Sequence, residues 1–290
     1  MKAGDLYKEI SSILSNITPE SNSEARMIIS HLQETSSGGI SFDAELDLAV
    51  YKLALEIINK RVLSCEPLSY ILGYSYFYGR KFSLNRSCLI PRFDSEWVVE
   101  KLISRCRNVP FDGVIKIADF CSGSGCLGIT IVRELQNLKN NIKFELSLFD
   151  ISEAALDMSK KNADFHEVLD CCKFNNHDLL LEDFVDEKFD IIISNPPYIR
   201  SLDIEDLDHQ VKDFEPRLAL DGGHDGLIFY TKLNDILQRN LTQNGFAAIE
   251  FGWDQADDVR LIFQDNFELE LIKDLGNRDR GFILKHRRAP

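Results

Sequence analysis

Ile115-Lys116-Ile117-Ala118-Asp119-Phe120-Cys121-Ser122-Gly123-Ser124-Gly125-Cys126-Leu127-Gly128 is the stretch that decides the fold. Residues 115–120 read as a buried strand and the glycines as a turn where a ligand can approach the backbone. From Leu127 a helix is expected to run to about Leu138. Downstream, strands are predicted at 144–149, 171–174, 189–194, 246–251, near 268–272 and at 282–285, with helices at 153–163, 227–241 and 255–263 between them. Such alternation predicts an α/β fold with a doubly wound, mostly parallel, seven-stranded Rossmann-like sheet. Ligands of such a sheet bind at the carboxyl ends of its strands.

Upstream of the loop the period changes. Leu6, Ile10, Ile13 and Leu14, then Ala25, Ile28, Ile29 and Leu32, then Leu46, Val50, Leu53, Ala54, Ile57 and Ile58 recur at helical spacing, which predicts a small helical bundle. Breaks are expected at Thr18-Pro19 and at Ser36-Ser37-Gly38-Gly39, with Ser41 as the N-cap of the third helix. Residues 67–89, with the apolar runs Tyr70-Ile71-Leu72 and 74–78 punctuated by Gly73 and Gly79, suggest a hairpin, and a helix is expected over 95–107. The organisation expected is a helical domain over 1–66, a linking hairpin and lid over 67–95, and a ligand-binding domain over 96–290.

Composition narrows the class. No apolar run reaches the ~18 residues needed to cross a bilayer, and the amino terminus carries no signal-peptide pattern, so a soluble cytoplasmic protein is expected. Seven cysteines, an odd number with no recurring CxxC pair, argue for reduced thiols rather than a disulfide framework or zinc site, and the six histidines show no metal spacing. No metal is expected. Lys and Arg total 33 against 47 Asp and Glu, a net charge of −14 that disfavours a free nucleic acid as partner. The one dense basic run is Lys285-His286-Arg287-Arg288.

The loop itself allows two cofactors. Gly123, Gly125 and Gly128 spell GxGxxG, and Asp150 ends the next strand where a ribose-binding carboxylate belongs, which fits a nicotinamide dinucleotide as well as S-adenosylmethionine. Asp119 favours the second, because a carboxylate just before the loop suits a cofactor carrying an ammonium and a sulfonium rather than a pyrophosphate.

Asn195-Pro196-Pro197-Tyr198 follows the strand Asp190-Ile191-Ile192-Ile193-Ser194, at the strand end where doubly wound folds place their chemistry. An amide or aromatic amine nitrogen is a poor nucleophile because its lone pair is delocalised, and attack on a sulfonium methyl needs that pair aimed along the S–C axis. The Asn195 side-chain oxygen and the Pro196 carbonyl supply two acceptors for its N–H groups. Pro196 and Pro197 fix φ and remove competing donors, while Tyr198 can lie flat against a planar group. The competing reading is a rigid turn that merely stops the strand.

These residues resemble the HemK/PrmC family, the glutamine methyltransferases of peptide chain release factors. The resemblance runs through Glu66-Pro67-Leu68-Ser69-Tyr70-Ile71-Leu72-Gly73, Leu89-Ile90-Pro91-Arg92, the glycine loop, the tetrapeptide, Glu215-Pro216-Arg217-Leu218-Ala219-Leu220, 222–227 and Asn277-Arg278-Asp279-Arg280. It implies methylation of the glutamine side-chain amide in the Gly-Gly-Gln loop of class I release factors, with the helical domain helping to grip the protein substrate; a monomer is expected. It also implies that Cys121, Ser122, Gly123, Ser124, Gly125, Asp150 with Ile151, Asp178 with Leu179, and Asn195 line the cofactor site, Asp150 on the ribose and Asp178 near the adenine.

Two departures stand out. Phe93 occupies a proline position of the family's Ile-Pro-Arg-Pro-Asp-Thr-Glu, and Cys121 replaces the first glycine of its loop, which requires a negative φ or strain there. Two alternatives stay open: an exocyclic-amine methyltransferase of DNA or rRNA, which shares the tetrapeptide, and a non-catalytic cofactor- or release-factor-binding protein.

Overall fold

The computed structural model describes residues 1–33, 40–107, 109, 113–139, 142–181 and 187–287. The expected break at Ser36 to Gly39 and the last residue of the basic run, Arg288, lie outside them. The chain divides into two compact units, one formed by Met1–Tyr74 with His209–Phe214 and the other by Ser75–Asp208 with Glu215–Pro290.

In the first unit α1 (Ala3–Leu14), α2 (Ser21–Leu32) and α3 (Leu48–Ser64) bury Leu6, Ile10, Ile28, Ile29, Ala54, Ile57 and Ile58 in one core. The α3 cap is Asp47 rather than Ser41. The Asp47 carboxylate accepts from Val50 N at 2.9 Å, whereas the Ser41 backbone is held in a two-way pair with the Gln33 side chain. Tyr70-Ile71-Leu72 is helical, within α4 (Leu68–Leu72), because Leu68 and Leu72 share a buried face one turn apart and Gly73 ends the turn at φ 76°. The hairpin strands are β1 (Tyr74–Phe77) and β2 (Arg80–Ser83).

The second unit carries the sheet. Its strands are β3 (Val114–Phe120), β4 (Lys143–Asp150), β5 (Cys172–Asn176), β6 (Phe189–Ser194), β7 (Leu241–Glu250), β8 (Phe267–Lys273) and β9 (Asp279–His286). Their order is β5-β4-β3-β6-β7-β9-β8, with β9 alone antiparallel to its neighbours. On one face lie α5 (Phe93–Cys106), α6 (Cys126–Leu138) and α7 (Glu153–Phe165), and on the other α9 (Ile228–Asn240) and α10 (Ala256–Phe263). α8 (His209–Lys212) belongs to the first unit.

The β-branched run of β6 is what a central strand needs. Ile191 and Ile193 enter the core on one face of the sheet and Ile192 the core on the other, so both faces are apolar. Chain order reverses between β3 and β6, where the connection returns from β5 across the sheet. Phe120 is level with Phe149 of β4 and with Ser194 of β6, so the three segments that follow leave the sheet side by side at the topological switch point.

The boundary before α5 moved. α5 begins at Phe93, so the end of the expected lid, 93–95, is the first turn of a helix; Phe93 stands at its first position, where a proline would also fit, and is 62% exposed. Of the seven free cysteines, Cys88, Cys106 and Cys126 are buried, while Cys121, Cys171 and Cys172 sit at strand or loop ends and Cys65 caps α3 in the open. No helix of the described residues is long and apolar enough to cross a membrane.

Candidate active site

Immediately after β3 the loop turns back on a left-handed Cys121 at φ 58°, so the non-glycine residue takes the strained conformation. The turn is held from outside. Ser122 N donates to Phe149 O at 3.1 Å, Gly123 N to Asp150 Oδ2 at 2.8 Å, and Ser159 Oγ and Asn162 Nδ2 of α7 reach the carbonyls of Gly123 and Ser124 at 2.7 and 2.9 Å. Gly123 has φ 53° and a Cβ built on it meets nothing within 4 Å, so the backbone there borders open space. Gly125, at φ 76°, is pressed between Ile129 and Leu148 and serves the packing of α6 on the sheet.

Open space is a cavity of about 810 Å³ within the second unit, inside the range of roughly 300–1,000 Å³ usual for small-molecule sites. Its wall brings together Cys121, Ser122, Gly123, Ser124, Asp150, Ile151, Asp178, Leu179, Asn195 and Pro197 from four separate loops. Asp119, Gly125, Pro196 and Tyr198 do not line it. Asp119 is fully buried beneath the loop, where Oδ2 accepts from Gly128 N at 2.9 Å and holds the start of α6. Burial pushes its carboxyl up to about 7, against the pull of the Gly128 N–H.

Asp150 spends one oxygen on Gly123 N and the other on Ser152 N, at 2.8 and 2.9 Å. Each carboxylate oxygen keeps a further lone pair for a ligand hydroxyl. Burial raises its pKa, and these backbone bonds oppose the rise. Asp178 Oδ1 accepts from Leu180 N at 2.9 Å and shapes the turn bearing Leu179.

At the end of β6 the Asn195 amide donates from Nδ2 to Ser95 Oγ at 3.4 Å. Pro197 lines the cavity and Pro196 is buried behind it. Tyr198 packs toward the α9–α10 side of the sheet, and its carbonyl accepts from Gln255 Nε2 at 3.0 Å. Burial, followed by the nearby Glu250, pushes its phenol up. Sequence reasoning missed the pair that closes one rim. Arg92 binds the buried Glu215 carboxylate at 2.6 Å, while Glu215 also accepts from Ile90 N at 3.3 Å, joining two loops of the cavity wall. Both lie in blocks that carried the family resemblance, but their meeting has no local signal.

The wall suits S-adenosylmethionine. The buried Ser122 Oγ has no hydrogen-bond partner among the described residues, the Gly123 backbone opens on free space, and Asp150 offers acceptors for hydroxyl groups on the same wall. Together with the order of the sheet, these features define an S-adenosylmethionine-dependent methyltransferase.

The comparisons narrow the class. Residues 101–213 match the model of the Methyltransferase small domain family. The hMettl16 catalytic domain, solved in complex with the MAT2A 3′UTR hairpin 6, shares the fold at TM-score 0.51 and 14% identity, over 90% of this chain and 93% of that one. A release factor glutamine methyltransferase of Bacillus cereus is 31% identical over 287 residues, 97% of this chain and 98% of the relative. One of Clostridium botulinum is 38% identical over 77% of this chain and 76% of the relative. For one of Fusobacterium nucleatum the identity is 36% over 79% of this chain, and the match spans 63% of that relative's length. The chain belongs to the release factor glutamine methyltransferase family.

Proposed function

We propose that the protein methylates the side-chain amide nitrogen of the glutamine in the Gly-Gly-Gln loop of class I peptide chain release factors. One observation carries the reading: Asn195 shares a cavity wall with Asp150 and the glycine loop, so an amide acceptor and a cofactor cradle open on one space. Cofactor contacts are assigned to the loop from Cys121 to Ser124, to Asp150 with Ile151, and to Asp178 with Leu179. Asp119 and Gly125 support the loop from behind.

S-adenosylmethionine supplies an electrophilic methyl group on its sulfonium. Asn195 Oδ1 accepts one N–H of the substrate carboxamide and the Pro196 carbonyl the other, which fixes the nitrogen and favours the electron density that attacks. The two prolines keep these acceptors from swinging. Tyr198 flanks the site. No strong general base is needed, since an alkylated amide nitrogen is acidic enough to release its proton to water.

The helical first unit is assigned to gripping the protein substrate, and the enzyme to acting as a cytoplasmic monomer. The net charge of −14 supports a protein substrate over free nucleic acid. Methyl transfer from labelled S-adenosylmethionine, offered in parallel to a class I release factor, duplex DNA and rRNA, tests this. Label in the release factor alone is expected. Label in a nucleic acid alone would replace the reading with the exocyclic-amine one, and cofactor binding without transfer to any of them would replace it with a binding protein.

A further inference from the structure

S-adenosylmethionine carries a carboxylate as well as an ammonium and a sulfonium, and the contacts assigned to Asp150 and Asn195 leave that carboxylate without a partner. Among the described residues of the cavity wall, guanidinium groups are supplied by Arg92 and Arg217. Arg217 is engaged elsewhere: its side chain is 59% exposed, with Nε 3.3 Å from Asp221 Oδ2 and Nη1 3.7 Å from Glu205 Oε1. Arg92 is placed differently. Its side chain is 37% exposed, and the only hydrogen bond that side chain makes among the described residues runs from Nη2 to Glu215 Oε1 at 2.6 Å. The donors on Nε and Nη1 have no hydrogen-bond partner there.

Glu215 holds the guanidinium in place. Its side chain is 1% exposed, and Oε2 accepts from Ile90 N at 3.3 Å, so the carboxylate is itself fixed from two sides. A planar fork bonded at one nitrogen to a fixed acceptor has its remaining donors held in direction. The pair lies at the end of the cavity where a methyl group has to be delivered. Arg92 is the N-cap residue of α5 and its carbonyl accepts from Ser95 N at 3.2 Å, while Ser95 Oγ accepts from Asn195 Nδ2 at 3.4 Å. A sulfonium joins the ribose, the methyl group and the chain that bears the carboxylate. With the ribose on Asp150 after β4 and the methyl at Asn195 after β6, that chain starts at the Asn195 end, away from Asp178 on the adenine side.

We propose that Arg92, held by Glu215, binds the carboxylate of S-adenosylmethionine and so selects this cofactor over adenosyl sulfonium compounds that lack one. The inference rests on the assignment of the ribose to Asp150 and of the methyl to Asn195. In a rival arrangement the carboxylate would take backbone N–H groups of the glycine loop, but Gly123 N is given to Asp150 and Gly125 N to Ser122 O. Arg92 also supplies the opposite charge that neutral donors lack.

The test is isothermal titration calorimetry of the full chain, without release factor, against S-adenosylmethionine and against decarboxylated S-adenosylmethionine, which keeps the adenosine, the sulfonium and the amine. The parent is expected to bind S-adenosylmethionine about tenfold or more tightly than the decarboxylated compound. Arg92→Met alone would leave the buried Glu215 carboxylate unpaired, so it is combined with Glu215→Gln. The double variant is expected to bind S-adenosylmethionine about tenfold or more weakly and the decarboxylated compound within about threefold of the parent, so that the preference collapses. A preference that survives in the double variant overturns the inference, whether neither Kd moves or both weaken together; the latter is the mark of a pair that only braces two loops. A parent that binds both compounds alike overturns it as well. Should the double variant fail to fold, Arg92→Gln, which still offers Glu215 an N–H but carries no charge, is read by the same two outcomes. Absence of S-adenosylmethionine binding by the parent would instead overturn the cofactor assignment, and the inference with it.

Discussion

Replacing Asp119 by asparagine is expected to abolish a large part of the loss of stability that the protein undergoes as pH rises from about 4 to about 7. Asp119 is fully buried, and burial lifts its carboxyl from the ordinary value of 3.8 to about 7. Below 3.8 the carboxyl is protonated in both folded and unfolded chains and contributes no pH dependence. Between the two values the unfolded chain releases the proton while the folded one keeps it, so stability falls with rising pH and levels off above 7. A shift of about three units corresponds to roughly 4 kcal/mol, a sizeable share of the roughly 5–15 kcal/mol that holds a domain folded. Asparagine retains an oxygen for Gly128 N, the one partner of Oδ2, so the start of α6 keeps its anchor. Urea unfolding of parent and variant at intervals from pH 4 to 8 measures the difference directly, since every other titrating group is common to both. The variant should gain on the parent across that window. Parallel curves would show that Asp119 titrates as a solvated carboxylate and would refute the burial argument.

Gly226→Ala places a Cβ 2.4 Å from Tyr198 O and 2.7 Å from Gln255 Nε2 at a φ of +76°, and should lower stability by about 3 kcal/mol or more, read as a drop in melting temperature together with lost transfer. Asp150→Ala strands Gly123 N and Ser152 N, and calorimetry should show S-adenosylmethionine binding weakened about tenfold or more; unchanged affinity would dissociate Asp150 from the cofactor. Arg61→Ala leaves the Glu24 carboxylate without its two-bonded partner at 2.8 and 2.9 Å and should destabilise the helical unit by about 3 kcal/mol, with cofactor affinity retained.

What the sequence made legible was the local and the periodic. The isoleucine run of β6, the glycine loop and the alternation of strands and helices each follow from a few adjacent residues, and the sheet has the expected seven strands. Errors arose where a local signal had two outcomes. Tyr70-Ile71-Leu72 suits a strand or one helical turn, and the buried face shared by Leu68 and Leu72 decided for the helix. Ser41 and Asp47 are both good caps, and the Gln33 side chain had already taken the first.

In the site, residues on strand ends were readable because doubly wound topology brings those ends together. Asp119 was not, since the sequence gives no sign that its carboxylate turns under the loop to Gly128 rather than toward the cofactor. The Arg92–Glu215 pair joins positions 123 residues apart, and Ser95 meets Asn195 across 100. No local pattern encodes such contacts; they exist only once the sheet has set the registers of β3, β6 and β7.

Tandem mass spectrometry of the Gly-Gly-Gln loop peptide from a purified class I release factor, incubated with this protein and S-adenosylmethionine and with Asn195→Ala in parallel, reads both the methylated atom and the part Asn195 plays. One added methyl on the glutamine side-chain nitrogen is expected with the parent and none with the variant. A methyl on another residue, or equal methylation by Asn195→Ala, would contradict the proposed function.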